Sequence, residues 1–98
     1  MTAALFTLAD LRERLQAHYK RPLDAHRYAV PAAMRWRSIT EHYTRQLGPD
    51  WRVDTRYPEK SGDGYRSMVW TDGEHVLAIA LNESPHTSTE HALTVLFS

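Results

Sequence analysis

The hydrophobic period of this chain changes once, near residue 51, and the change restricts it to folds in which helices come first and strands follow. Within residues 7–20, Leu8, Leu11, Leu15 and Tyr19 recur at helical spacing and make one apolar face, with Arg12, Glu13, Arg14 and Gln16 on the other side. Thr7 is placed as the N-cap with Asp10 three residues on, and Phe6 and Leu11 are placed as a hydrophobic staple. Pro22 marks the end of this element. Residues 21–30 (RPLDAHRYAV) show no clean period and are expected to form a connector, with room for a short helical turn after Asp24. Pro31 suits the first position of a second helix, on which Ala32, Trp36, Ile39, Tyr43 and Leu47 form a single stripe. Gly48 and Pro49 then stop it.

From Trp51 the period is two. Trp51, Val53, Thr55 and Tyr57 alternate with Arg52, Asp54 and Arg56, the pattern of a strand with one wet face. Residues 58–64 (PEKSGDG) read as a loop, Tyr65–Thr71 as a second strand, Glu74–Asn82 as a third, and Ala92–Phe97 as a fourth. Asp72-Gly73 is a strong hairpin signal between the second and third. The expected fold is α+β: two N-terminal helices followed by a four-stranded antiparallel β-meander, with both helices packed on one sheet face. Read in that order, strands 51–57 and 92–97 are the sheet edges, and the last has neither charge nor proline to defend it.

Ninety-eight residues suffice for one domain spanning 1–98 and not for two, because each half would be too small to build its own core. Three Trp, five Tyr and two Phe supply apolar surface that a disordered chain lacks. No cysteine is present, which excludes disulfides, thiolate metal sites and thiol nucleophiles. Met1–Phe6 has no basic n-region, and the longest apolar run, Val76–Leu81, is too short to span a bilayer, so a cytoplasmic location is expected.

Charge is unevenly distributed. All twelve Lys/Arg lie in residues 1–66 against eight Asp/Glu, a balance of +4, while residues 67–98 carry four acids and no base. Such polarity is a reason to look for a binding face. Arg52 and Arg56 share the polar face of the first strand, and Arg66 lies in the next. Together they are the expected partner-binding set, suited to the bidentate contacts that guanidinium makes with an acidic protein surface. Asp54 lies between the first two and is able to neutralise them internally. Arg35, Arg37 and Arg45 on the second helix are the alternative set, for nucleic acid. Arg35 and Arg45 lie about 80° apart around a helix, so they do not form one stripe, and the net charge of zero is unlike that of a dedicated nucleic-acid domain.

His75, His86 and His91, with Glu74, Glu83 and Glu90 near them, are the residues from which a metal site would be built, but HExxH and HxH spacings are missing. Nucleophile-elbow, P-loop and dinucleotide-binding patterns are also missing, and Gly62-Asp63-Gly64 is only part of a polar loop. No metal or other cofactor is therefore expected. The class these features favour is a small cytosolic, non-enzymatic protein-binding module, of the kind bacteria and phages use as stoichiometric inhibitors, immunity factors or accessory regulators. A nucleic-acid-binding regulator using the second helix is the alternative. A homodimer through edge strand 92–97 is a further expectation.

Overall fold

The structure, a computed structural model, describes residues 8–62, 64–83 and 89–98. Its elements in chain order are α1 (Leu8–Tyr19), β1 (Asp24–Pro31), α2 (Trp36–Gln46), β2 (Arg52–Val53), β3 (Lys60–Gly62), β4 (Tyr65–Thr71), β5 (Val76–Asn82) and β6 (Glu90–Phe97). All strand pairings are antiparallel. The sheet runs β1-β6-β5-β4-β2, five strands, with the short β3 also paired to β4. The α+β class is as expected, and β4, β5 and β6 are successive antiparallel neighbours.

α1 ends where Lys20 adopts a left-handed conformation (φ 55°). The Arg21 amide then reaches back to the Gln16 carbonyl at 3.3 Å, which closes the helix without a glycine. The proposed cap and staple residues Phe6 and Thr7 lie outside the described residues. β1 begins at Asp24. The Leu23 carbonyl accepts from Arg12 Nη2 at 2.6 Å and the Leu23 amide donates to Gln16 Oε1 at 3.0 Å, so α1 sets the strand's entry.

Several sequence expectations give way. The connector 21–30 is the strand β1, and the sheet is not a four-stranded meander. β1 stands before the second helix in sequence yet pairs with the last strand, from Asp24 opposite Phe97 to Pro31 opposite Glu90. Its side chains are largely exposed on both faces, so it has no buried set to impose a period of two. Pro31 closes that strand instead of opening α2, which starts only at Trp36. The first predicted strand, 51–57, contracts to Arg52–Val53, because the chain turns at Asp54, whose carbonyl accepts from the Tyr57 amide at 3.0 Å.

The last correction concerns the layers. The helices do not share a sheet face. Leu11 and Leu15 of α1 pack with Val69, Val76, Ala78 and Leu96. Ile39 of α2 packs with Trp70, Ile79, Leu81, Leu93 and Val95, and Trp36, Tyr43 and Leu47 join it. Successive strand residues point to opposite faces, so these two sets lie on opposite sides of one sheet. β5 shows why: Val76–Leu81 is continuously apolar, the signature of a strand buried on both faces, and each face needs its own helix. Both apolar stripes were legible in the sequence, and each does its work on a separate side.

Candidate functional site

β6 is an interior strand, held by β5 on one side and β1 on the other. The edge that segment 92–97 was expected to offer is therefore occupied by this chain's own β1, and among the described residues the open edge moves outward to β1 itself. The Ala32 amide donates to the Thr89 carbonyl at 2.8 Å, in the same register as the β1–β6 pairs. Antiparallel ladders alternate, so the even-numbered residues of β1 direct their amides and carbonyls to β6 and Ala25, Arg27 and Ala29 direct theirs outward. Pro31, which has no amide hydrogen, falls in the outward set, where its loss costs no bond within the sheet. The register runs without a bulge over all eight residues of β1, which contain no lysine. Asp24, Arg27 and Pro31 are partial defences, but an eight-residue strand without a bulge still presents a continuous backbone row to another chain.

Side chains on the same strand add a second element. Tyr28 and Val30 lie on the face that α2 covers, because they stand opposite Leu93 and His91 of β6. Between β1 and α2 runs an open groove of about 540 Å³ lined by Tyr28, Val30, Met34, Ile39, Tyr43 and Leu93, with Arg45 and His42 beside it. Tyr28 and Met34 are the most exposed large apolar side chains among the described residues, at 50% and 43%. Burial, with Tyr28 nearby, raises the Tyr43 hydroxyl above its ordinary titration range, so it stays protonated and neutral beside the apolar wall. His26 extends the strip, stacking on Phe97 with ring centroids 5.4 Å apart. An unpaired backbone edge beside an apolar groove is the arrangement that adds a strand from another chain: main-chain bonds supply attachment and alternate side chains enter the groove.

The arginines singled out in the sequence are dispersed. Arg56 is turned inward onto Asp54, a carboxylate only 4% exposed. Asp54 Oδ1 accepts from Arg56 Nε at 2.9 Å and from the Arg56 amide at 3.1 Å; Oδ2 accepts from Arg56 Nη2 at 3.1 Å and from the Tyr19 hydroxyl at 2.5 Å. His18 Nε2 contacts Arg56 Nη1. Burial pushes the Asp54 carboxyl up, but the Arg56 and Tyr19 hydrogen bonds outweigh it and hold the group below its ordinary range. The Tyr19 hydroxyl is raised, by burial first and by its bond to Asp54 second. Every strong acceptor position of Asp54 is taken, which makes this network a clamp between α1 and the turn after β2 rather than a general base.

Arg66 is paired with Glu83 at 3.6 Å and lies on the sheet face opposite that of Arg52. Arg52 stands across from Thr71, and Thr71 and Arg66 have opposite parity along β4. The three guanidinium groups do not form one patch. In the alternative set, Arg35 is the N-cap residue of α2, Arg37 is paired with Glu41 at 3.3 Å, and Arg45 borders the groove. All three are exposed.

His75 sits in the β4–β5 turn, bonded through Nδ1 to Asp72 Oδ2 at 3.2 Å. The Asp72 carboxyl also accepts the amides of His75 and Glu74, and these bonds hold its pKa down to about 2. His91 pairs with Val30 at the other end of the sheet, so His75 and His91 do not converge. His86 lies outside the described residues. Among the described residues no group of three His, Asp or Glu side chains is placed to hold a metal, and no helix is long and apolar enough to cross a membrane. No protein-family model matches the chain, and neither a curated protein nor a solved structure is detectably similar to it.

The β1 edge was missed in the sequence because DAHRYAVP lacks alternation. The signal that was present is a Tyr and a Val two apart, followed by a proline at a position that only an outer edge tolerates.

Proposed function

We propose that this chain is a non-enzymatic, cytoplasmic protein-binding module that engages its partner through the β1 edge and the groove between β1 and α2, in the manner of a stoichiometric inhibitor, immunity factor or accessory regulator. One observation carries the reading: among the described residues, no strand pairs the outward amides and carbonyls of Ala25, Arg27 and Ala29, which stand beside the exposed Tyr28 and Met34. The leading part falls to the strand edge rather than to charge, since Arg52, Arg56 and Arg66 give an acidic partner no assembled cluster to meet.

The substitution Ala29→Pro isolates this surface. It removes an outward amide while leaving the ladder to β6 intact, so stability should change by no more than about 1 kcal/mol. Retention of proteins from the native host's lysate is measured on immobilised wild type and on Ala29→Pro, at low and high salt, with and without nuclease. A stoichiometric protein held under every condition by wild type, and lost on Ala29→Pro, supports the module and its surface. Undiminished retention on Ala29→Pro rejects the edge. Retention that disappears with nuclease or high salt transfers the function to nucleic acid bound by Arg35, Arg37 and Arg45.

A further inference from the structure

We infer that the occupant of the β1 edge is a second copy of this chain, paired antiparallel about a two-fold axis through Tyr28, so that two sheets join into one. The inference rests on the strand-edge reading above and names its partner. An isologous contact requires an edge that complements itself, and β1 can be tested for this residue by residue. The outward residues are odd-numbered, and a two-fold pairing must set odd against odd. Only registers centred on residues 27 and 28 overlap most of the strand. Each offers about six interchain hydrogen bonds, because the two Pro31 amides missing in the second register are matched by one outward pair fewer in the first.

Side chains decide between them. Centring on Arg27 sets two guanidinium groups directly opposite each other, a destabilising cross-strand pair. Centring on Tyr28 sets Arg27 against Ala29, Ala25 against Pro31 and His26 against Val30. No like charges stand directly opposite; on the face away from α2 each Arg27 lies against the small Ala29 of the other copy, and the two Arg27 are only diagonal neighbours. Tyr28 meets the Tyr28 of the second copy as a non-hydrogen-bonded pair, the position at which side chains approach most closely and where an aromatic pair is favourable. Both grooves lie on the Tyr28 face, so this register brings their open sides together and covers the exposed Tyr28 rings. The chain's zero net charge leaves no long-range repulsion to oppose association.

The absence of cysteine makes the register directly testable. Opposed residues in a non-hydrogen-bonded pair have Cα atoms about 4.5 Å apart, within disulfide reach, whereas diagonal neighbours stand about 7–8 Å apart. Three proteins are compared: wild type, Tyr28→Cys and Arg27→Cys, with Ala29→Pro as the edge-blocked control. Sedimentation equilibrium of wild type gives the mass as concentration rises, and mild oxidation followed by non-reducing electrophoresis gives the cross-link. The expected result is a wild-type dimer, at least tenfold weaker association of Ala29→Pro with an unchanged melting temperature at dilutions where both are monomeric, and rapid cross-linking of Tyr28→Cys but not of Arg27→Cys. Should a cysteine variant or Ala29→Pro fail to fold, the wild-type mass still decides.

A wild type that stays monomeric at its highest soluble concentration overturns the inference. If Ala29→Pro then still abolishes lysate retention, the strand-edge reading survives with a foreign partner. If retention is undiminished as well, both fall. A dimer that is indifferent to Ala29→Pro, or that cross-links at 27 and not at 28, also overturns the pairing proposed here.

Discussion

Asp54 ties α1 to the turn after β2. In the alternating segment 51–57 it reads as a solvent-facing partner of its arginine neighbours. In the fold it is a buried anion whose oxygens take Arg56 and Tyr19 together. The carboxyl is held below its ordinary range, so the unfolded chain binds more protons than the native state as pH falls toward 4. The stability Asp54 supplies is therefore fully present above the unfolded carboxyl's pKa and is lost as pH drops through the folded value. Asp54→Asn should lower the unfolding free energy at pH 7 by about 2–3 kcal/mol, the range for hydrogen bonds to a buried charge. It should also flatten the acid side of the stability profile. Urea titrations of both proteins from neutral to acid pH measure this, and parallel profiles would refute the account. The same geometry warns against Arg56→Glu as a probe of binding, since it sets a second carboxylate beside a buried one and tests folding instead.

At the scale of elements, those that bury apolar side chains were legible and two that lack an apolar period were not: β1, and the short β3, which lies in the stretch 58–64 read as a loop. The β4 boundaries Tyr65–Thr71 are those the sequence pattern gives, β5 and β6 differ by two residues at their starts, and α1 ends one residue earlier, at Tyr19. Each has a stripe or run that must leave water. β1 has no such requirement: it exists because β6 offers it a ladder, a cause that lies some sixty residues away in sequence and leaves no local period. Long-range pairing also explains the misassigned edge, since strand order follows chain order only until a distant segment inserts. Alternation within β1 makes a further expectation checkable. Under conditions where the chain is monomeric, hydrogen exchange followed by NMR should find the amides of His26, Tyr28 and Val30 protected by β6, while those of Ala25, Arg27 and Ala29 exchange like exposed backbone. Uniform fast exchange along β1 would mean that the strand frays from β6 and offers no stable edge.

For the whole molecule, a single sheet separates two apolar clusters, and β4, β5 and β6 contribute to both: Val69 and Trp70, Ala78 and Ile79, and Leu96 and Val95 are adjacent residues facing opposite ways. Neither side can lose its packing without loosening strands that the other side needs. Unfolding should therefore be one cooperative transition although the helices never share a face. All three tryptophans belong to the α2 side, with Trp70 buried and Trp36 and Trp51 packed around it. Intrinsic fluorescence thus watches one side only. Leu15 is fully buried on the other. Leu15→Ala should cost about 2–5 kcal/mol through lost contacts and a residual cavity. Ile39→Ala, on the fluorescent side, should cost a similar amount. Coupling through the sheet requires that Leu15→Ala shift the tryptophan transition as far as it shifts the far-ultraviolet dichroism. Two separated transitions in that variant, with fluorescence unmoved, would show instead that each helix and its sheet face unfold as an independent layer.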